Sequence, residues 1–229
     1  MKYVIVANGP FLPKSIILEA SEGAKIVALD GAFHPLVHLG IRPAIVIGDF
    51  DSVHARADLD VMFIHRPDQN FTDLQKALQF CLQEKATAIH IVCALGGRLD
   101  HDKAAIYALE QAYTSHCPIY LHSTYQSAFI ACNETIIIRG RPNDHCGLFG
   151  APLGTMSVKN GGLAYGEVEP YVLSDKQYST SNYLVGDEAV VDIMGKVLII
   201  HPPMLRAQRA FSAKTRKEQL MDLLNEMGE

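Results

Sequence analysis

Five short hydrophobic runs in the first half of this chain each end in small or polar residues: Asn8-Gly9, Asp30-Gly31, Gly48-Asp49-Phe50-Asp51-Ser52, Pro67-Asp68-Gln69-Asn70 and Gly96-Gly97-Arg98-Leu99-Asp100-His101. Asp49 and Asp51 stand two apart. At an extended strand end, residues two apart face the same side, so these carboxylates are expected to converge. Two such anions repel one another unless a cation holds them. Mg2+ suits the task, since it takes hard oxygen ligands and is usually held by one or two carboxylates plus substrate phosphates. Asp73 and Asp100, at the starts of helical stretches, add acids of the kind a helix N-terminus favours. Arg98 supplies a planar fork that matches phosphate oxygens, and Gly96-Gly97 lets the backbone come close to a ligand. Taken singly, Asp73 or Asp100 at a helix start is more often a cap, Asp30-Gly31 more often a turn and Gly-Gly-Arg usually a connection. Their recurrence at the ends of successive strands separates them from caps, because capping needs no doubled carboxylates. The chemistry they suit is magnesium-assisted handling of a nucleotide polyphosphate.

The elements that must position these residues follow from the alternation of β-branched runs with helical stretches. Strands are predicted at Tyr3 to Val6, Ala24 to Leu29, Ala44 to Ile47, Val61 to Ile64, Ala88 to Ala94 and Pro118 to His122. Helices are predicted at Ser15 to Ala20, Phe33 to Leu39, Thr72 to about Glu84 and Asp100 to Tyr113. In the third helix Leu74, Ala77, Leu78 and Cys81 fall on one face, and Thr72 is its expected N-cap. Strands apolar on both faces imply a parallel sheet covered by helices on both sides, and such sheets bind ligands beyond the carboxyl ends of their strands. After about Gln126 helical periodicity stops. Short β segments at Thr135 to Arg139, Thr155 to Val158, Ala189 to Ile193 and Val197 to Ile200 are separated by Gly, Pro and Asn, which predicts an antiparallel β domain. The expected organisation is an N-terminal parallel-sheet α/β domain over 1–126, a smaller antiparallel β-sandwich-like domain over 127–204, and a helical tail over 205–229. The tail has Phe211, Leu220, Leu223 and Leu224 as an apolar stripe.

Composition removes several alternatives. A net charge of -5, with no compensating Lys/Arg run, gives no footprint for a nucleic-acid backbone, so a small-molecule partner is expected. No segment has the length of a membrane span, and Met1 to Ala7 lacks both a signal-type apolar run and a small-residue cleavage site. The five cysteines are scattered, without a CxxC pair, as in a reducing compartment. The expected location is the cytoplasm. The ten histidines, His34, His38 and His101 among them, show no HExxH or comparable metal spacing. Walker A, GxGxxG and Gly-x-Ser-x-Gly motifs are absent, which argues against a P-loop kinase, a Rossmann dehydrogenase and a serine hydrolase.

In this order, Asp30-Gly31-Ala32, Gly48-Asp49-Phe50-Asp51-Ser52, Asp68-Gln69-Asn70-Phe71-Thr72-Asp73, Leu95-Gly96-Gly97-Arg98-Leu99-Asp100-His101 and Ser179-Thr180-Ser181-Asn182 resemble the thiamine pyrophosphokinase family, from near residue 5 to near residue 200. The resemblance implies an α/β domain followed by a β-sandwich-like domain, in a homodimer with active sites between subunits. It implies that ATP and thiamine give AMP and thiamine diphosphate, with Mg2+ as cofactor. It also implies that Asp49, Asp51, Asp73 and Asp100 are the catalytic, metal-holding acids, and that Asp30, Gln69, Thr72, Arg98 and His101 serve the nucleotide. Ser179 and Asn182 would contact the thiamine pyrimidine; read without the resemblance, they form a turn or loop. Either Asp73 or Asp100 could take the proton of the thiamine hydroxyl. The chain departs from the family in Asp30-Gly31-Ala32-Phe33-His34, and in having no Trp for the thiamine site, where Tyr165, Tyr171, Tyr178 or Tyr183 could stack instead. Two alternatives share these features: a pyrophosphokinase acting on a pterin alcohol, and a nucleotide- or thiamine-binding module without catalysis.

Overall fold

The structure, a computed structural model, describes residues 1–51, 60–150, 156–165, 171–173, 178–212, 214 and 216–228. Ser52 of the acidic loop and Thr155, the expected start of a strand, lie outside the described residues. Packing divides the chain into one unit made of Met1–Thr124 with Leu205–Glu229, and a second made of Tyr125–Met204.

In the first unit, β1 (Lys2–Val6), β2 (Ala24–Leu29), β3 (Ile45–Gly48), β4 (Met62–His65), β5 (Ala88–Val92) and β6 (Ile119–His122) form parallel pairs in the order β6-β5-β1-β2-β3-β4. The chain steps outward from β1 to β4, then returns to the other side of β1 for β5 and β6. A parallel sheet must be covered on both faces. On one face Val4, Val6, Ala28, Val46 and Val92 share a core with Ile16 and Ile17 of α1 (Lys14–Ala20) and with Phe33 and Leu36 of α2 (Phe33–His38). On the other, α3 (Asp73–Gln83) packs on β1, β2 and β3, and α4 (Leu99–Ala112) packs on β6. There the rings of Tyr3 and Phe80 meet edge to face at 6.4 Å. As the sequence predicts, Thr72 is the N-cap of α3, in a capping box with Gln75.

The tail belongs to this unit. The Glu19 carboxylate accepts from the backbone N–H groups of Arg206 and Ala207 at 2.9 and 2.7 Å, at the start of α5 (Arg206–Ser212). Leu205, Ala207 and Leu223 pack against the core. The apolar stripe expected of the tail is not buried as a whole: in α6 (Arg216–Gly228), Leu220 and Leu224 are exposed, and Leu223 alone of the three reaches the core.

The second unit is a pair of antiparallel sheets. One has the order β12-β9-β14-β7, from β7 (Ser127–Cys132), β9 (His145–Gly150), β12 (Ser179–Tyr183) and β14 (Lys196–His201). The other has the order β11-β10-β13-β8, from β8 (Thr135–Arg139), β10 (Met156–Gly161), β11 (Tyr171–Leu173) and β13 (Glu188–Met194). Strand β13 alternates, with Ala189, Val191 and Ile193 buried and Val190, Asp192 and Met194 exposed. The buried set joins Ala131, Leu148, Val197 and Ile199 of the first sheet in a single core, the arrangement of a sandwich. Ser179 to Asn182, read locally as a turn, lie in β12, where the pairing with β9 shifts register and Ser181 takes a left-handed φ of 54°. The irregularity explains the reading: four short polar residues without apolar alternation describe a bulged edge as well as a loop. Among the described residues no helix is long and apolar enough to cross a membrane.

Candidate active site

Strands β2 and β3 pair through Leu29 and Ile47, which sets Asp30 and Gly48 side by side at the carboxyl ends of the two strands. Asp30 opens a single 3-10 turn, Asp30–Ala32, and is 3% exposed. Its side chain lies across the end of β3, and a Cβ on Gly48 would stand 2.5 Å from the Asp30 Cβ. Only glycine leaves that space. Strand β3 stops at Gly48, and Phe50 follows in the left-handed region at φ 62°. The convergence of Asp49 and Asp51 therefore comes from a turn, not from the alternation of an extended strand end as the spacing suggested. A left-handed non-glycine residue costs about 1–2 kcal/mol. The Phe50 ring offsets this by stacking on His65 at 5.4 Å and meeting Phe63 edge-on at 5.8 Å. As a result one oxygen each of Asp30, Asp49 and Asp51 lies within 4.8 Å of the others.

Gln69, after β4, donates from Nε2 to Asp49 Oδ2 at 2.7 Å, and His65 Nε2 lies 3.1 Å from the Asp49 carbonyl oxygen. The Gln69 amide, ahead of the Asp51 N–H and the more distant Lys76 ammonium, holds the Asp49 carboxyl below its ordinary range. Asp73 and Asp100 stand outside the group of three. Asp73, in the first turn of α3, is engaged by Lys76 Nζ at 2.9 Å. Thr72 spends its side chain on the cap. Lys76 escaped sequence reading because it lies roughly 150° round the helix from the Leu74/Ala77/Leu78/Cys81 stripe at 100° per residue. Periodicity assigns that face to solvent.

Asp100 lies eight residues beyond β5, in the first turn of α4. There it forms an exposed two-pronged pair with Arg98, at 3.1 Å from Nε and 2.6 Å from a terminal nitrogen. Arg98 lowers the Asp100 pKa, Asp100 raises that of Arg98, and the His101 N–H also donates to Asp100. Asp102, the second acid opening α4 and legible in the sequence only as a helix-start acid, accepts from the N–H groups of Gly96 at 3.1 Å and Gly97 at 3.4 Å and so folds the glycine loop onto α4. Its signal was a second acid in the first turn of the helix that follows a Gly-Gly pair.

In the second unit Asn182 is fully buried. Its Oδ1 accepts from the N–H groups of Tyr165 and Tyr183, and its Nδ2 donates to the Tyr165 carbonyl and to Ser179 Oγ, all at 2.9 to 3.1 Å. Asn182 is thus a bracket for Tyr165, which is 66% exposed and whose ring meets Tyr183 edge-on at 6.0 Å. Tyr178, also exposed, stacks on Phe149 at 5.4 Å. His34 is exposed and sits edge-on to Phe33.

A parallel sheet that gathers carboxylates beyond its strand ends is the build of an α/β enzyme, and the hard oxygen donors of Asp30, Asp49 and Asp51 fit a Mg2+ ion. Residues 18–121 match the family described as thiamin pyrophosphokinase, catalytic domain. The chain is 33% identical over 103 residues to thiamin pyrophosphokinase 1 of Caenorhabditis elegans, covering 41% of this chain and 42% of that protein. It is 28% identical over 127 residues to thiamine pyrophosphokinase of Bacillus subtilis, covering 51% and 58%. The matched stretches thus span about half the length of these curated relatives. The fold agrees over more of the chain: the crystal structure of the Bacillus subtilis thiamine pyrophosphokinase superposes with a TM-score of 0.76 at 20% identity, covering 90% of this chain and all of that one. The thiamin pyrophosphokinase of Candida albicans gives 0.70 at 16% identity, covering 88% and 89%. The chain is thus similar to thiamin pyrophosphokinases in sequence over residues 18–121 and in fold over most of its length.

Proposed function

We propose that this chain transfers the pyrophosphoryl group of ATP to the hydroxyl of thiamine, giving thiamine diphosphate and AMP. The observation that carries the reading is the convergence of Asp30, Asp49 and Asp51 at one edge of a catalytic-domain sheet of this family. The thiamine hydroxyl oxygen attacks the β-phosphorus, the bond from that phosphorus to the α,β-bridging oxygen breaks, AMP departs with that oxygen, and the hydroxyl proton is lost. Such transfers ask the protein mainly for positioning and charge neutralisation. Asp30, Asp49 and Asp51 would hold Mg2+, which when bound neutralises phosphate charge; Gln69 fixes Asp49 for that task. Arg98, paired with Asp100 only through an exposed contact, can turn its fork to phosphate oxygens at little cost. Residues 1–126 would form the nucleotide-binding domain and 127–204 the thiamine-binding one, where Ser179 and an exposed tyrosine bracketed by Asn182 are available to the acceptor. We assign the working form as a cytoplasmic homodimer.

AMP release measured with Mg-ATP and either thiamine or a pterin alcohol tests the reading. The expected result is AMP and thiamine diphosphate in equal amounts with thiamine alone. Release with the pterin instead would move the acceptor, and release with neither, under conditions where the chain is folded and binds Mg-ATP, would leave a binding module.

A further inference from the structure

Among the described residues the buried Asp, Glu, Lys and Arg side chains are two, Asp30 at 3% exposed and Lys76 at 7%. Asp30 belongs to the carboxylate group. Lys76 lies off the Leu74/Ala77/Leu78/Cys81 stripe of α3, and its partner, Asp73, is 30% exposed. A helical ion pair three residues apart contributes too little to explain burying an ammonium. Its place explains more. Lys76 lies one turn into a helix that packs on β1, β2 and β3, and its charge reaches Asp49 as well as Asp73. An ammonium on an aliphatic stem, held beside acids at the mouth of a polyphosphate site, is the point charge that phosphate oxygens take.

We propose that Lys76 is a phosphate-binding residue of this site, resting on Asp73 in the free chain and transferring its hydrogen bonds to the phosphate oxygens when the nucleotide binds. The inference rests on the nucleotide reading given above. The exchange is a swap of hydrogen-bond acceptors, with no bond made or broken in the lysine, and a nucleotide polyphosphate carries several negative charges against the one of Asp73. Lys76 also acts as a local positive charge against cation binding in the free chain, so its removal weakens the nucleotide without weakening the cation.

Mn2+ binding to the nucleotide-free full chain, by electron paramagnetic resonance, and Mg-ATP binding, by calorimetry without thiamine, provide the test on Lys76→Met and Lys76→Arg. Lys76→Met is expected to weaken Mg-ATP by about tenfold or more, the loss of one charge-assisted hydrogen bond, while Mn2+ affinity stays equal or rises. Lys76→Arg is expected to recover part of the nucleotide affinity. A lysine that merely supports the fold would weaken both ligands together, with a lowered melting temperature, and that result overturns the proposal, as does unchanged Mg-ATP affinity in Lys76→Met. Should Lys76→Met not fold, Lys76→Gln carries the same comparison. A wild-type chain that binds neither Mn2+ nor Mg-ATP would overturn the nucleotide reading itself and this inference with it, whereas wild-type binding with an unmoved variant overturns the inference alone.

Discussion

Replacing a carboxylate by its amide keeps the shape and removes the charge, so Asp51→Asn and Asp100→Asn separate the two acid sets. Asp51 is one of three converging carboxylates, whereas Asp100 holds Arg98. Both variants are expected to lose turnover by roughly 100-fold or more, the scale of removing one preorganised charge from a phosphoryl-transfer site. Only Asp51→Asn should raise the Mg2+ concentration needed for half-maximal rate; a rate near wild type in Asp51→Asn at ordinary Mg2+ would exclude its metal role. A second residue-level effect lies away from the acids. His90 Nδ1 and His122 Nε2 are 2.8 Å apart, and burial, aided by Lys2, lowers the pKa of His90 from 6.5 to about 4. Burial, then His90, lowers that of His122 as well. Both rings are neutral in the folded chain, while the unfolded chain takes up protons near 6.5, so their contribution is present above pH 6.5 and is lost as pH falls towards 4. Urea unfolding of the wild type should lose stability across that window by up to roughly 1.4 kcal/mol per pH unit for each histidine. His90→Gln should flatten the slope. Asp49 and Asp100, whose pKa values lie below 3.8, act in the opposite sense of charge and lose their contribution only at lower pH.

At the scale of elements, what the sequence discloses depends on whether a segment's neighbours in space are also its neighbours in the chain. The strands and helices of the first unit are legible because each buries a periodic apolar face, and the acids at their ends are legible because a parallel sheet delivers every strand end to one edge. Their grouping is not, since it depends on strand order. The chain gives Asp100 and Asp49 equal standing, but the group within 4.8 Å is Asp30, Asp49 and Asp51, and Asp30, read as a nucleotide residue, joins this metal-fitting set because β2 and β3 are adjacent. Strand β12 was hidden by its bulge, and the bracket of Asn182 by a span of 17 residues to Tyr165. That bracket is open to test. Asn182→Ala would strand the N–H groups of Tyr165 and Tyr183, at about 1–3 kcal/mol for a buried donor left unsatisfied. Chemical unfolding should show the loss, and the KM for thiamine should rise with kcat for bound substrate little changed. A variant as stable as wild type would mean that water replaces the bracket.

At the scale of the whole chain, the first unit is discontinuous: its sheet is complete by His122, yet the polypeptide returns to it from Leu205 onward. The points where the chain leaves and rejoins are tied, since Gln208 Nε2 donates to the Ser123 carbonyl at 2.7 Å. Glu19 caps the returning segment, and Glu226 accepts from the Lys14 N–H at 3.1 Å. The second unit is thus an insertion whose boundaries the first unit closes. Truncation after Met204 would uncover the apolar core that Leu205, Ala207 and Leu223 reach. With two leucines partly buried, the loss should be about 2–4 kcal/mol. For a chain of this size it corresponds to roughly 5–15 °C in the melting temperature of the first unit. The sandwich core draws on residues between 129 and 199, so its own transition should stay in place. Calorimetry of the full chain and of residues 1–204 would reveal this as a shift in one of two transitions. A uniform shift of both would mean that the units unfold together, and no shift would mean that the tail's contacts carry no stability.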